Sequence, residues 1–401
     1  MRARTIERRA SEDAGRFAGQ LVGFIDRQLW RWVASAVAPA GITIDGPEPW
    51  DPQVRDPRFV RRMLLDGTVG VGESYVDGQW ECAALDELTA RLLGARAVRG
   101  FSLTRPEVTQ ALASRLWNRQ SRSRARASIE SHYDRGDALY RAMLGRTMVY
   151  SCGYWPAARD LDEAQEAKLE LACRKLQLEP GLRVLDIGCG WGAFARHAAE
   201  RYRVRVVGVT VSPAQAASAR ALCRGLPVEI RLKDYRDLDE PFDRIVSIGM
   251  FEHVGARNHD TFFRVAHRCL KPGGLFLLHS IGNLTTATST DPWIDRYIFP
   301  GALLPSARQI ARAIEGRFVL EDWHNFGADY DRTLRAWHDN FEAAWPTLAA
   351  LGDPRFDERF RRTWRFYLLT CAGSFRSRHN QLWQLVLSKG GVPGGYRRPH
   401  L

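Results

Sequence analysis

The plainest chemical signal in the chain is the run Val184-Leu-Asp-Ile-Gly-Cys-Gly-Trp-Gly192. A buried-strand pattern passes there into glycines at every second position and then into a helical pattern. Gly188, Gly190 and Gly192 let the backbone turn sharply and approach a ligand, and the amino end of the following helix offers unpaired N–H groups. A nucleotide-like ligand is the expectation. The spacing is GxGxG, with Asp186 ahead of the first glycine, and not the dinucleotide fingerprint GxGxxG; NAD binding and a bare tight turn are the alternatives. The next strand pattern ends in Val206-Val-Gly-Val-Thr-Val-Ser-Pro213, placing Thr210 and Val211 where a ribose-binding carboxylate often stands. Gln215, able both to donate and to accept, is then the candidate for the ribose hydroxyls. Asp234 and Tyr235 close a third strand where an adenine amine and ring face would lie, although Tyr235 read alone is equally an ordinary strand-end aromatic.

Positioning these loops requires strands whose carboxyl ends share one edge. Short β-branched runs at 183–187, 204–211, 228–232, 244–248, 275–279, 318–322 and 382–388 alternate with helix-length stretches. Parallel neighbours need crossovers of that length, so the fold class is α/β: a Rossmann-like, doubly wound, mostly parallel sheet. Lys271-Pro-Gly-Gly274 reads as a helix stop followed by a strand start. Residues 1–125 read as a smaller, mainly helical domain with turn-rich pieces at Gly41–Gly46 and Gly67–Gly72, closed by an arginine-rich linker at 115–126; residues 126–401 form the catalytic domain.

Composition narrows the class of protein. With 45% hydrophobic and 26% charged residues over 401 positions, disorder and fibrous repeats are excluded. Lysine plus arginine number 58 against 46 acids, a net charge of +12, so an anionic partner is expected. Seven cysteines stand singly, which predicts reduced thiols in a cytoplasm and neither a zinc site nor a disulfide frame. The amino terminus lacks the apolar core of a signal peptide, and no window approaches about 18 apolar residues, so the chain is soluble or touches a membrane from one side.

The glycine loop resembles motif I of class I S-adenosylmethionine-dependent methyltransferases, where it cradles the methionine part of the cofactor. Six further runs stand in order: Tyr150-Ser-Cys-Gly-Tyr-Trp155, Asp234-Tyr-Arg-Asp-Leu238, Gly249-Met-Phe-Glu-His-Val-Gly255, Asp291-Pro-Trp293, Glu321–Tyr330 and Thr370-Cys-Ala-Gly-Ser-Phe375. Together they resemble the cyclopropane-fatty-acyl-phospholipid synthase family. Gly72-Glu-Ser-Tyr-Val-Asp-Gly78 and Trp80-Glu-Cys82 extend the likeness into the first domain, which favours a phospholipid substrate over mycolic acids. One departure is that His132-Tyr-Asp134 continues as Gly136-Asp-Ala138 and not as Gly-Asn-Asp, with a consequence for the packing of the helix over the site.

The resemblance implies transfer of the methyl(ene) carbon of S-adenosylmethionine to a cis double bond of phospholipid acyl chains, with bound bicarbonate as general base. It adds Tyr150 and Ser151 to the cofactor contacts, and it assigns the bicarbonate to Cys152, Glu252, His279, the Ile281 backbone N–H and Tyr330. Alkene methylation needs no covalent enzyme intermediate, so Cys152 is a ligand and not a nucleophile; Cys371 is kept as a further site position on its family motif. An alkene is a weak nucleophile and its methylation leaves a carbocation, so the site must be dry, and ring faces of Phe251, Trp293 or Tyr330 could stabilise the charge. Residues 293–304, aromatic and apolar, read as the lining of a tunnel for the lipid or as a core helix under the sheet edge. The implied partners are unsaturated membrane phospholipids met at an anionic inner-membrane surface by a cytoplasmic, peripherally bound homodimer, with no metal and no nucleic acid. The alternatives are a fatty acid methyltransferase giving methyl-branched chains and a noncatalytic lipid- or nucleic-acid-binding protein on the same scaffold.

Overall fold

A computed structural model describes residues 28–95, 120 and 137–400. The arginine-rich linker, apart from Gln120, and the His132-Tyr-Asp134 run lie outside the described residues. The described part of the first domain is mainly helical: a helix over 28–37, the long helix Arg58–Val76 and the helix Leu85–Gly94. A two-residue antiparallel pair, β1 (Gln53–Val54) and β2 (Trp80–Glu81), ties them together. The run Gly67–Gly72, expected as a turn, is helical instead, with one break at Gly67 where φ is 56° and ψ −132°. The remaining glycines serve close packing. A Cβ on Gly72 would lie 2.2 Å from the indole nitrogen of Trp293, so this glycine lets the second domain's tryptophan seat against the helix backbone.

The second domain is built on β3 (Arg183–Ile187), β4 (Arg205–Thr210), β5 (Val228–Leu232), β6 (Phe242–Ile248), β7 (Leu270–Asn283), β8 (Val319–Asn325) and β9 (Asn380–Ser388). They form one sheet in the order β5-β4-β3-β6-β7-β9-β8. The first five pair in parallel. Val184 to Ile187 are buried throughout because helices cover both faces, which is why this strand reads as an unbroken apolar run around Asp186. Chain order runs outward from β3 in one direction through β4 and then in the other through β6, so a crevice opens at the carboxyl end of β3. Helix starts are set by side chains: Asp160 accepts from Glu163 N, and Ser212, followed by Pro213, accepts from Gln215 N. Each such cap contributes about 1 kcal/mol.

The sheet departs from uniform parallel order at its far side. β9 runs antiparallel to both β7 and β8. The cause is the helix pair Ala328–Ala349 and Glu358–Arg376, which leaves β8 and returns the chain to the same end before β9 begins. This pair also contacts the first domain. Arg376 binds Asp86, Glu87 and Asp331 together, and a Cβ on Gly373 would lie 2.2 Å from the Asp86 carbonyl oxygen. The helices Leu85–Gly94 and Glu358–Arg376 therefore touch backbone to backbone. Gly373→Ala should push them apart and lower stability by about 1–3 kcal/mol, read as a lower urea midpoint. Gly94→Ala, whose methyl meets nothing within 4 Å, should leave the midpoint unchanged or raise it.

Candidate active site

The crevice beyond β3 holds a cavity of about 1170 Å³ including its open mouth. Every predicted cofactor position except Gly192 lines it: Tyr150, Ser151, Asp186, Gly188, Gly190, Thr210, Val211, Gln215, Asp234 and Tyr235. Gly192 stands one step behind, at the start of the helix Ala193–Tyr202, with φ 91° and its α-carbon against Ala219. Gly188 must be glycine twice over, since φ is 85° and a Cβ would lie 2.5 Å from Met250 Cγ. Thr210 Oγ1 donates to Gln215 Oε1 at 2.9 Å, which fixes the amide and leaves its NH2 group available. Asp234 is bound by Arg236 at 2.6 Å, and Tyr235 packs edge-on to Phe262. Asp186 is buried with its Oδ2 unpartnered.

Two turns pass from this cavity to a chamber of packed side chains, among which Cys152, Glu252 and His279 are buried. In one, Tyr150 and Ser151 face the cavity and Cys152 follows, fully buried. In the other, Gly249, Met250 and His253 line the cavity while Glu252 is turned away from it, 6% exposed. Glu252 Oε1 accepts the Ile281 N–H at 2.7 Å, and its Oε2 is buried with no partner. The Ile281 N–H is thus engaged by Glu252, whereas the resemblance aimed it at an anion. His279, 1% exposed at the carboxyl end of β7, meets Gln384 Nε2 through Nδ1 at 3.2 Å and has a buried, unpartnered Nε2. The Tyr330 phenol is buried within electrostatic reach of Cys152, Glu252 and Cys371. The Cys152 thiol donates to the Gly153 carbonyl at 3.1 Å.

Burial sets the protonation states. Burial pushes Glu252 up to about 7, and His279 is pushed well down, by burial first and then by Lys168 and Lys175. At neutral pH the imidazole is therefore neutral. With Nδ1 accepting from the amide, its hydrogen sits on Nε2. Burial also raises the Cys152 thiol and pushes Cys371 up to about 12, so neither is a thiolate.

The family model for mycolic acid cyclopropane synthetase matches residues 120–385. A cyclopropane-fatty-acyl-phospholipid synthase of Escherichia coli K12 is 50% identical over 372 residues, covering 93% of this chain and 96% of the relative. The chain belongs to the cyclopropane synthase family. The tuberculostearic acid methyltransferase UfaA1 of Mycobacterium tuberculosis is 34% identical over 84% of this chain and 83% of its own. The solved cyclopropane synthase MmaA2 from Mycobacterium tuberculosis superposes with a TM-score of 0.62 at 34% identity, covering 66% of this chain and 98% of that one. Coclaurine N-methyltransferase, at 23% identity and a TM-score of 0.65, shares the class I methyltransferase fold.

Several features of this cyclopropane synthase-family chain differ from expectation or were missed by it. Phe251 stacks on His259 at 4.5 Å within the core of the helix His259–Cys269, and Trp293 packs on Phe366 and Tyr297, so of the aromatic candidates only Tyr330 belongs to the chamber. The segment after Trp293 does reach the site. Leu303 N donates to the Glu252 carbonyl, and Phe299 packs against Tyr150 and Tyr367. Lys168, Gln165 and Gln384, all fully buried, were not anticipated. The available signal was composition: Lys168 is one of only five lysines among 58 cations, and it falls on the apolar face of its helix.

The Glu252 shift has a thermodynamic consequence. A carboxyl whose pKa rises on folding from its usual 4.5 to about 7 binds more protons folded than unfolded between those values. Its ionisation therefore costs stability progressively as pH rises through that window. Glu252→Gln should raise the melting temperature at pH 8, change it little at pH 4.5 and abolish turnover. A wild-type melting temperature insensitive to the substitution at both pH values would exclude the shift.

Proposed function

We propose that this chain is a cyclopropane-fatty-acyl-phospholipid synthase, which adds the methyl(ene) carbon of S-adenosylmethionine across the cis double bond of unsaturated phospholipid acyl chains with bicarbonate as base. The reading is carried by two of the buried side-chain atoms that have no hydrogen-bond partner among the described residues, Glu252 Oε2 and His279 Nε2. A native interior rarely leaves such groups unpaired, and these stand where the turns Tyr150–Cys152 and Gly249–His253 leave the cofactor cavity. When bound, S-adenosylmethionine supplies an electrophilic methyl group and bicarbonate an oxyanion able to accept a proton.

The chain's own residues do the rest. The glycine loop, Gln215 and Asp234 hold and orient the nucleoside. Glu252, which burial pushes up to about 7, donates from Oε2 when protonated, and His279 donates from Nε2; the Tyr330 phenol adds a third donor. Such a set fits an oxyanion and offers nothing to a cation. Phe299 and Tyr367 cover Tyr150 between cavity and chamber, and exclude water that would trap a cationic product as an alcohol. Cys152 and Cys371 remain protonated and line the site without attacking.

On this reading the region before residue 126 serves lipid access. Among the described residues, no helix is long and apolar enough to cross a membrane. The net charge of +12 favours anionic headgroups, and Trp32 and Leu65 are exposed apolar side chains on this unit at 46% and 53%. Expression in cells should add 14 mass units to unsaturated phospholipids (one CH2), with loss of olefinic and gain of cyclopropane proton signals. Methyl-branched products would show a methyltransferase instead, and unchanged lipids would reject the reading. His279→Ala should reduce turnover roughly 100-fold or more with little change in cofactor affinity, whereas equal loss of both would mark a structural role. Liposome binding should weaken as salt rises if charge carries it.

A further inference from the structure

The segment 291–303 touches the first domain near one end and the reaction chamber at the other. Its short helix Pro292–Tyr297 presents Arg296 and Tyr297 to Glu73, near the end of the first-domain helix Arg58–Val76. Tyr297 Oη donates to Glu73 Oε1 at 2.6 Å and Arg296 Nη1 donates to the same oxygen at 2.8 Å, while Arg62 Nη2 donates to Oε2 at 3.0 Å. Burial pushes the Glu73 carboxyl up, but the three donors outweigh it and hold the group below the usual carboxylate range. Arg62 and Glu73 are 11 residues apart, which in a straight helix would be roughly 16 Å. The break at Gly67 folds the helix back on itself, and Gly70, on which a Cβ would lie 2.0 Å from the Arg62 carbonyl oxygen, lets the two arms close. The glycine run 67–72 thus builds an acceptor for groups of the second domain.

From Tyr297 the same segment runs directly on to the site. Phe299 packs on Tyr150, His253 and Tyr367, with ring centroids 6.2, 5.7 and 5.9 Å away. The Gly301 carbonyl accepts from Gln120 Nε2 at 2.8 Å, and the Leu303 N–H donates to the Glu252 carbonyl at 2.8 Å. The residue held by the first domain therefore lies within two turns' length of chain from the ring that covers Tyr150 and from the amide that holds Glu252. The Arg296–Glu73 pair, with Arg296 59% exposed, adds little to stability. What the contact supplies is a fixed position for the stretch that closes the chamber.

Resting on the function proposed above, we propose that Glu73, acting through Tyr297, is a positioning residue of the first domain that holds Phe299 over the chamber and so sets how the cation is resolved, by ring closure or by capture of water. In methyl transfer the alkene's π pair bonds the incoming carbon as the S–C bond breaks toward sulfur, which leaves a cation on the neighbouring carbon. Ring closure uses the pair of a methyl C–H bond, and the proton leaves to the base. Capture uses a water lone pair to form a C–O bond, and the water loses the proton. The test is mass spectrometry of the products that the purified full chain makes from S-adenosylmethionine and vesicles of dioleoyl phosphatidylglycerol and phosphatidylethanolamine, beside calorimetric titration with S-adenosylhomocysteine. Tyr297→Phe keeps the ring against Trp293 and removes the hydroxyl. It should cut cyclopropane formation roughly 10-fold, as expected for loss of a hydrogen bond to a charged group, and leave cofactor affinity within about twofold. The product heavier by 32 mass units (one CH3 and one OH) should rise from a trace to about a tenth of the total or more. Glu73→Ala should shift the ratio in the same way, and Glu73→Gln, whose amide oxygen still accepts from Tyr297, should restore part of it. An unchanged product ratio in Tyr297→Phe would overturn the proposal even if turnover falls, because a merely structural role lowers the amount of active enzyme and leaves the ratio alone. Failure of the unaltered chain to make any cyclopropane product would instead overturn the function on which it rests.

Discussion

Everything in this fold is constrained by the need to keep a carboxyl, an imidazole and a phenol away from water without leaving them as liabilities. An unpaired buried polar group costs about 1–3 kcal/mol, and Glu252 and His279 each leave one such atom. The protein lowers this cost by shifting both side chains toward their neutral forms and by tying the other end of each to the frame, Glu252 to the Ile281 N–H and His279 to Gln384. Both ties run into β7 and β9, the strands at the centre of the antiparallel half of the sheet. The chamber is therefore anchored to two paired strands of the sheet.

The division of labour between the two halves of the sheet follows from this. The parallel half, β5-β4-β3-β6, opens the crevice that takes a nucleoside, as the winding of such sheets requires. The antiparallel half and its helix pair build the dry side. What joins them is small: two turns, each with neighbouring residues facing opposite ways, so that Ser151 and Cys152, or His253 and Glu252, belong to different compartments. A shift of either turn would be felt on both sides at once.

Much of this was legible in the residues. The strands were found because β-branched runs bounded by turns have few other uses, and the glycine loop because three glycines at that spacing before a helix admit a ligand. The run Gly67–Gly72 was misread for an instructive reason: glycine marks a sharp turn and a close backbone contact with the same letter, and only the position of Trp293 decides between them. The antiparallel setting of β9 was invisible because strand direction depends on where two long helices deposit the chain. The chamber residues came from family likeness and not from local pattern, since an isolated Glu252 or His279 looks like any core polar group. Lys168 was missed because a lysine on an amphipathic helix is ordinarily assigned to solvent.

The position of β9 bears on how the molecule comes into being. It is the latest of the described strands in sequence, yet it lies inside the sheet, between β7 and β8. During synthesis β7 must wait with one edge unsatisfied while more than a hundred further residues emerge, including both long helices. The half of the sheet that seals the chamber can therefore close only after residue 388 has left the ribosome, and until then the exposed edge of β7 is open to misassembly with other nascent chains.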